Sequence, residues 1–390
     1  MDFATENALR ELRQQDLLRA PCPGCGSQLT FRAETQQLGC DHCGTAQALV
    51  FTKDKLAEHP LDGLLIGQEL NPAMLTEQQL FSCPTCGART QVSAEQPTLN
   101  CGFCGSQAIN AEAQRTRLIE PAGVLPFRVG RAAAVTSFGD WIGKGWLAPN
   151  DLKAGAVLDN LHGIYLPFWT FDAQAHSDWN GERGDHYYET VSDTDSEGRR
   201  TTRQVQRTRW SYHSGSRNHF YDDVLIAASH SLAKQNQQDH LADVQNYTLP
   251  DVVDYDARVL LGWEAEVYSI DLHEGLEQAR TLIRQREHNA CERELGGDEQ
   301  RGLSVRTRLS EESFKHLLLP LWLCAYVYRG TLYHFLINGQ TGKVSGSRPT
   351  SWWKVALLVL VGLVLAGAAF YLWQESQSST TIRAHYEYRP

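Results

Sequence analysis

The chain has 390 residues, more than one ordinary domain holds, and this length allows two or three. An apolar fraction of 42% with 21% charged residues excludes a disordered or collagen-like chain. Its 36 basic and 46 acidic residues give a formal charge of −10, which argues against a protein devoted to gripping nucleic acid.

Residues 1–20 read as an amphipathic helix, with Leu9, Leu12, Leu17 and Leu18 near one face. No secretory leader is expected in MDFATENALRELRQQ. Residues 21–50 and 81–110 then carry eight of the ten cysteines. Cys22, Cys25, Cys40 and Cys43 follow the pattern C-x2-C-x14-C-x2-C, and Cys83, Cys86, Cys101 and Cys104 repeat it 61 residues later. Every pair is followed by glycine, in CPGCGS, CDHCGT, CPTCGA and CGFCGS. Two such knuckles on a hairpin close four thiolates around one tetrahedral ion and leave no open position for substrate. Two structural Zn2+ ions per chain are therefore expected. A thioredoxin-like redox motif needs one C-x-x-C at a strand–helix junction, not four in register. His42, inside CDHC, reads as a solvent-facing knuckle residue rather than a ligand.

Four thiolates on one Zn2+ carry −2, so two sites lower the formal charge from −10 to −14. The ribbons are poor in base: 22–43 holds Arg32 against Glu34 and Asp41, and 83–104 holds Arg89 against Glu95. Protein partners, not nucleic acid, are the expectation. Cys291 and Cys324 stand apart and read as buried, reduced thiols. Residues 51–80, with Pro60, Gly63, Gly67 and Pro72, read as a linker with a helical turn or two.

Residues 120–350 read as a mixed α+β domain. A helix is expected over 131–146, with Val135, Phe138, Trp141 and Ile142 on one side, and a second through 161 capped by Asn150. GIYLPFWTFDAQAHSDWNG reads as a long strand in which Pro167 marks a bulge or an edge. Acidic residues from Glu182 to Glu197 precede arginines from Arg199 to Arg217, so a hairpin turning at DTDSEG would neutralise them across strands. Asp271 and Glu274 start a helix that stops at Gly296 and Gly297. Two strands follow, joined at Arg329 and Gly330, and LLPLWLCAY echoes YLPFWTFDA, the mark of a duplicated unit. GDWIGKG lacks the Walker spacing and its Ser/Thr, and DTDSEG lacks the twelfth-position carboxylate of a calcium loop. No catalytic constellation emerges, so the expectation is a protein that is not an enzyme.

Residues 355–373 run without a charge and, as a helix, span roughly 28 Å, close to a bilayer core. Trp352 and Trp353 flank one end, Tyr371 and Trp373 the other. A transmembrane helix over 352–373 is expected, with a short external tail at 374–390. Lys343, Arg348 and Lys354 precede the apolar run 355–373 and only Arg383 follows, which favours the bulk of the chain in the cytoplasm. Gly362 and Ala366 would let a second helix approach, compatible with a homo-oligomer.

Together the tandem CPxCG…CxxCG ribbons, LPFRV, WLAPNDLKAGAVLDNLHGIYLPFWTFDA, RGDHYYET, FYDDVLIAAS, GGDEQR, SFKHLLLPLWLCAYVYRG, FLINGQTGKVSG and one membrane helix carry a resemblance. The chain resembles a bacterial family of double-zinc-ribbon membrane proteins, labelled TFIIB-type zinc-ribbon proteins. Others in the family bear the label of primosomal protein N′ or replication-restart helicase. The helicase label lacks physical support, because no nucleotide-binding loop or acidic Mg2+ partner occurs. The resemblance implies the role of the YdjG-like proteins, which hold SPFH-domain (flotillin-like) and PspA-type envelope-stress proteins at the bacterial inner membrane. It carries over only the eight zinc cysteines and no catalytic residue. The second reading is a nucleic-acid-binding zinc-ribbon protein associated with replication.

Overall fold

The structure is a computed structural model that describes residues 20–386 apart from 55, 57, 62–74, 84, 86–87, 92–97, 101–106, 110–113, 195–199 and 235–236. The expected N-terminal helix and the tip of DTDSEG lie outside the described residues.

The elements begin with β1 (Leu29–Arg32), β2 (Gln37–Cys40) and β3 (Ala46–Ala48), a small antiparallel sheet, and β4 (His59–Pro60). Next come β5 (Leu75–Ser82), β6 (Arg89–Gln91), β7 (Thr98–Asn100), β8 (Gln107–Ile109) and β9 (Gln114–Ile119). The α+β region holds β10 (Gly123–Val124), α1 (Arg131–Ile142), α2 (Leu152–Gly155), β11 (Val157–Thr194), β12 (Arg200–Ala227), α3 (Ser231–Lys234) and α4 (Gln238–Val244). After them come β13 (Val253–Asp254), β14 (Glu264–Ala265), α5 (Leu272–Leu295), β15 (Glu299–Tyr328), β16 (Thr331–Asn338), β17 (Val344–Gly346) and α6 (Trp352–Tyr386). One mixed sheet, in the order β12-β11-β15-β10-β13, dominates the α+β region, and β4, β14, β16 and β17 join it off that path.

α1 ends at Ile142, short of the expected 146, because Gly143 and Gly145 do not hold a helix. Its buried face is Ala134, Phe138 and Ile142, and Val135 lies exposed. The second helix shrinks to α2, since pairing of 157–163 with β15 takes the chain into a strand. Asp151 replaces Asn150 at its start, and the Asp151 carboxylate accepts from Tyr328 Oη and Arg329. α5 matches expectation: Asp271 accepts from the Glu274 amide at 2.8 Å, and Gly296 and Gly297 have positive φ. Arg329 and Gly330, both at positive φ, make the tight β15–β16 turn. The described part of 51–80 is no linker. Its β4 pairs with β15, Leu61 is buried, Thr52 and the Asp54 amide bond Asp254, and β5 pairs with β9.

Pro167 is not at a sheet edge, because β11 lies between β12 and β15. The β11–β12 ladder begins one residue later, at Phe168–Ala227, so the missing amide costs only the rung beyond the end. The bulge falls instead between Phe171 and Ala173, on the β11–β12 ladder, where Asp223 has positive φ.

The echoed sequences turn out to be the two central strands of a duplicated unit. β11 and β15 pair antiparallel with Leu166 opposite Leu319, and on either side Tyr165 faces Pro320 and Pro167 faces Leu318. The equivalent bonds are then exchanged between the halves. Trp169 Nε1 donates to the Ile270 carbonyl just before α5, and Trp322 Nε1 donates to the Val129 carbonyl just before α1, each at 2.9 Å. The Ala228 amide bonds Pro167 O as the Gly339 amide bonds Pro320 O. β10 pairs parallel with β15, and β14 pairs parallel with β11. The halves differ in their hairpins. The 168–194 side of the β11–β12 ladder extends roughly 85 Å at about 3.3 Å per residue, while β16 is short. Along that blade the expected charge pairing appears, as Arg207–Glu189 at 3.4 Å and Arg203–Asp193 at 4.0 Å. α5 covers one face of the blade, and its buried Glu287 accepts from Ser177 Oγ at 2.6 Å and Tyr221 Oη at 2.8 Å.

Candidate metal centre

The Cys22–Cys43 segment builds its site from two matching turns. The Cys22 amide donates to Ser27 O and the Gly26 amide to Cys22 O; the Cys40 amide donates to Thr45 O and the Gly44 amide to Cys40 O. Gly26 and Gly44 take φ of 75° and 76°, a left-handed conformation that a Cβ would strain, which is why each C-x-x-C is followed by glycine. β1 pairs with β2 and β2 with β3, the excursion that the x14 spacer allows, and brings the second turn back over the first.

The four sulfurs meet there. Cys22 Sγ lies 3.4 Å from Cys43 Sγ, and Cys25 Sγ 3.5 Å from Cys40 Sγ. One ligand atom from each of the four lies within 4.8 Å of every other. Sulfurs around a tetrahedral ion with bonds near 2.3 Å stand about 3.8 Å apart, so this donor set fits one thiophilic metal ion. The Gly24 amide points at Cys22 Sγ from 3.4 Å, and Thr45 Oγ1 lies 3.1 Å from Cys43 Sγ. Thr45, through its hydroxyl and its backbone amide, lowers the Cys43 thiol to about 6, favouring the thiolate that a metal needs. Cys22 and Cys40 are buried, while Cys25 and Cys43 face solvent. His42 is exposed and outside the cluster.

The centre is seated in the main core rather than tethered to it. Leu29, Phe31 and Leu38 pack in one cluster with Phe127, Val259 and Trp322. The Phe31 amide donates to Leu261 O at 2.8 Å, Trp263 Nε1 donates to Phe31 O at 2.9 Å, and Gln36 Nε2 donates to Phe127 O at 2.6 Å.

Of the second set, Cys83 is described and buried, and its amide donates to Ala88 O at 2.8 Å. Cys86, Cys101 and Cys104 lie outside the described residues. Cys291 and Cys324 are buried and free; burial raises the first thiol to about 11 and the second well above its ordinary value.

A group that no sequence spacing signals is Glu58, Asp172 and Asp222, gathered where β4 meets the β11–β12 bulge. Lys315 Nζ stands 2.8 Å from Asp223 and 3.3 Å from Glu58, while Asp172 accepts from Ser313 Oγ and the Asp223 amide. Burial raises the Asp172 carboxyl above its ordinary range. Lys315 offsets part of the negative charge of this cluster.

At the other end of the chain, the helix segment Trp352–Trp373 is 22 residues long, apolar enough to cross a membrane, and unburied. The helix itself continues to Tyr386, through most of the expected tail, and residues 387–390 lie outside the described residues.

The chain is similar to the uncharacterized protein YdjG of Bacillus subtilis (strain 168). Identity is 29% over 347 residues, covering 86% of this chain and 91% of YdjG. So long a match takes in the greater part of the α+β region as well as cysteine-bearing sequence. No family model and no solved structure matches the chain.

Proposed function

We propose that the protein is a non-enzymatic, membrane-anchored zinc-ribbon adaptor. The observation that carries this reading is the four-cysteine cage seated in the core of a domain whose last strand leads into an exposed apolar helix. A closed four-sulfur site offers a substrate no coordination position, so its work is to shape a surface.

A second zinc ribbon, on Cys83, Cys86, Cys101 and Cys104, is part of the reading. It is supported by strands that repeat the first ribbon's register. Thr98–Ile109 and Asn100–Gln107 pair as Gln37–Ala48 and Gly39–Ala46 do, and Ser82–Arg89 repeats the Pro21–Gln28 bridge. Lys343 and Arg348 before the helix and Lys354 in its first turn support a cytoplasmic domain at the bacterial inner membrane, with the short C-terminal tail outside. The partner classes, SPFH-domain and PspA-type proteins, follow from the family resemblance.

Affinity purification of the detergent-solubilised protein from native membranes tests the reading. Recovery of an SPFH-domain or PspA-type protein, lost on Cys22→Ser with Cys83→Ser, is the expected result. Retained recruitment in that double variant removes the ribbons from the role. Steeply salt-dependent DNA binding by the full chain would replace the reading with a nucleic-acid one.

A further inference from the structure

We infer that the loop between α1 and α2, residues 143–149, is a bilayer-docking surface that lays Trp146 into the headgroup layer and sets Lys144 and Lys153 against anionic phospholipid. The inference rests on the reading of Trp352–Trp373 as a membrane span. It uses the GKGW sequence, which no other part of the fold explains.

The loop is fastened to the start of that helix. The Ser351 amide donates to Leu147 O at 2.7 Å, and Lys354 Nζ donates to Ala148 O at 2.7 Å and to Trp146 O at 3.2 Å. Arg348 stacks its guanidinium on Trp141, 3.9 Å from the ring centroid, and reaches the open side of Gly145. These contacts fix the loop at the level of the first helical turn, where a span enters the bilayer. Trp146 is 72% exposed there, beside Trp352 at 81% and Trp353 at 49%. Three exposed indoles at one end of an apolar helix match the headgroup level, where the amphipathic ring is favoured. A loop that served only to join two helices would have no cause to expose a tryptophan.

The charge has the matching sign. Lys144 and Lys153 are exposed, and the Lys153 side chain lies over Gly143. Of the acids nearby, Asp151 is held by Arg329 and Tyr328, and Asp140 is exposed on the last turn of α1. An anionic leaflet attracts such a basic rim within a Debye length. The domain would then stand on the membrane at two points, the helix and this loop, with a fixed tilt instead of a free swivel.

The test uses the full chain in nanodiscs of phosphatidylcholine with or without phosphatidylglycerol. An environment-sensitive fluorescent amino acid replaces Trp146, Leu363 in mid-span, or Val50, which is 81% exposed on the domain. Lipids brominated high on the acyl chain serve as quenchers. Position 146 should be quenched at least about threefold more than position 50 when phosphatidylglycerol is present, and Lys144→Glu with Lys153→Glu should remove most of that difference. Quenching at 363 with none at 146 overturns the docking while leaving the span intact. Absence of quenching at 363 overturns the span, and the docking with it. Quenching at 146 that ignores both the anionic lipid and the double variant overturns the headgroup pairing.

Discussion

Cys40→Ser tests whether the metal centre is part of the domain's core. Cys40 is fully buried at the end of β2, one residue from Gly39, which pairs with Thr30 of β1. A serine there replaces a thiolate with a hard hydroxyl and leaves three sulfurs, so the ion is expected to leave. What it releases is the packing of Leu29, Phe31 and Leu38, which are 2%, 3% and 1% exposed. At about 1.5–3 kcal/mol for each buried side chain, their burial is worth roughly 5–9 kcal/mol, an upper value because an unfolded ribbon still hides some of that surface. At about 1.4 kcal/mol per decade, exchange of the Phe31 amide, which is held by Leu261 O, should quicken by up to about three to six decades. Because Trp263 both bonds Phe31 O and stacks on Phe127 at 3.9 Å, residues 253–265 should lose protection too. Hydrogen-exchange mass spectrometry on the full chain in detergent, with native mass spectrometry to count zinc, reads both effects. A variant that loses its ion while 253–265 exchange as before would refute the reasoning and make the ribbon an appendage.

Other expectations follow from the same geometry. On the proposed second zinc ribbon, Cys83→Ser should lower bound zinc from two ions to one while the Cys22 set keeps its metal; plasma mass spectrometry of the purified variant decides it. Trp169→Phe leaves the buried Ile270 carbonyl without its donor and Trp322→Phe the partly buried Val129 carbonyl, so each should cost about 1–3 kcal/mol in chemical denaturation, the first the more. His316 is buried against Trp169 and Tyr268, and burial lowers its pKa from 6.5 to about 4. The unfolded chain therefore binds the extra proton first. This contribution is complete above pH 6.5 and is lost as pH falls toward 4, by up to about 3 kcal/mol. The slope of stability against pH should be shallower in His316→Gln than in the parent.

The local signals of the sequence carried well where a few neighbouring residues decide the outcome. The two cysteine turns of the Cys22–Cys43 set, the Asp271 cap, the Gly296 stop and the Arg329–Gly330 turn are each settled within about six residues by backbone geometry and one or two hydrogen bonds. What escaped was decided by distant partners. Residues 157–161 carry a helical pattern, yet their pairing with 324–327 outweighs it. The Pro60 segment reads as a linker because its partners, Ser313 and Phe314, lie far along the chain. Trp146 looked like one residue of a long helix until Gly143 and Gly145 broke the helix and Ser351 came to meet the loop. The Asp172 and Asp222 cluster depends on a bulge, and a bulge leaves no periodic trace.

The duplication gives the tandem cysteine segments a place in one architecture. The segments leading into α1 and α5 are equivalent, since Trp322 and Trp169 bond them at Val129 and Ile270. The first ribbon meets the former, through Gln36 Nε2 on Phe127 O. The strand that follows Cys83 meets the latter, because the Val267 amide donates to Arg89 O at 2.8 Å. Two cysteine segments thus stand against two copies of one structural element. The first segment is held by side-chain and backbone bonds, and the second is held there by a backbone bond. The long β11–β12 hairpin belongs to one half, and the short β15–β16 hairpin, followed by β17 and the apolar helix α6, belongs to the other. On the proposed reading this divergence would separate two tasks, reaching outward and holding the membrane, on a single sheet. Shortening the blade at its 185–209 end should therefore leave membrane attachment and zinc content intact while altering whatever the blade reaches. Loss of zinc or of membrane attachment in that deletion would show that the two halves are not separable.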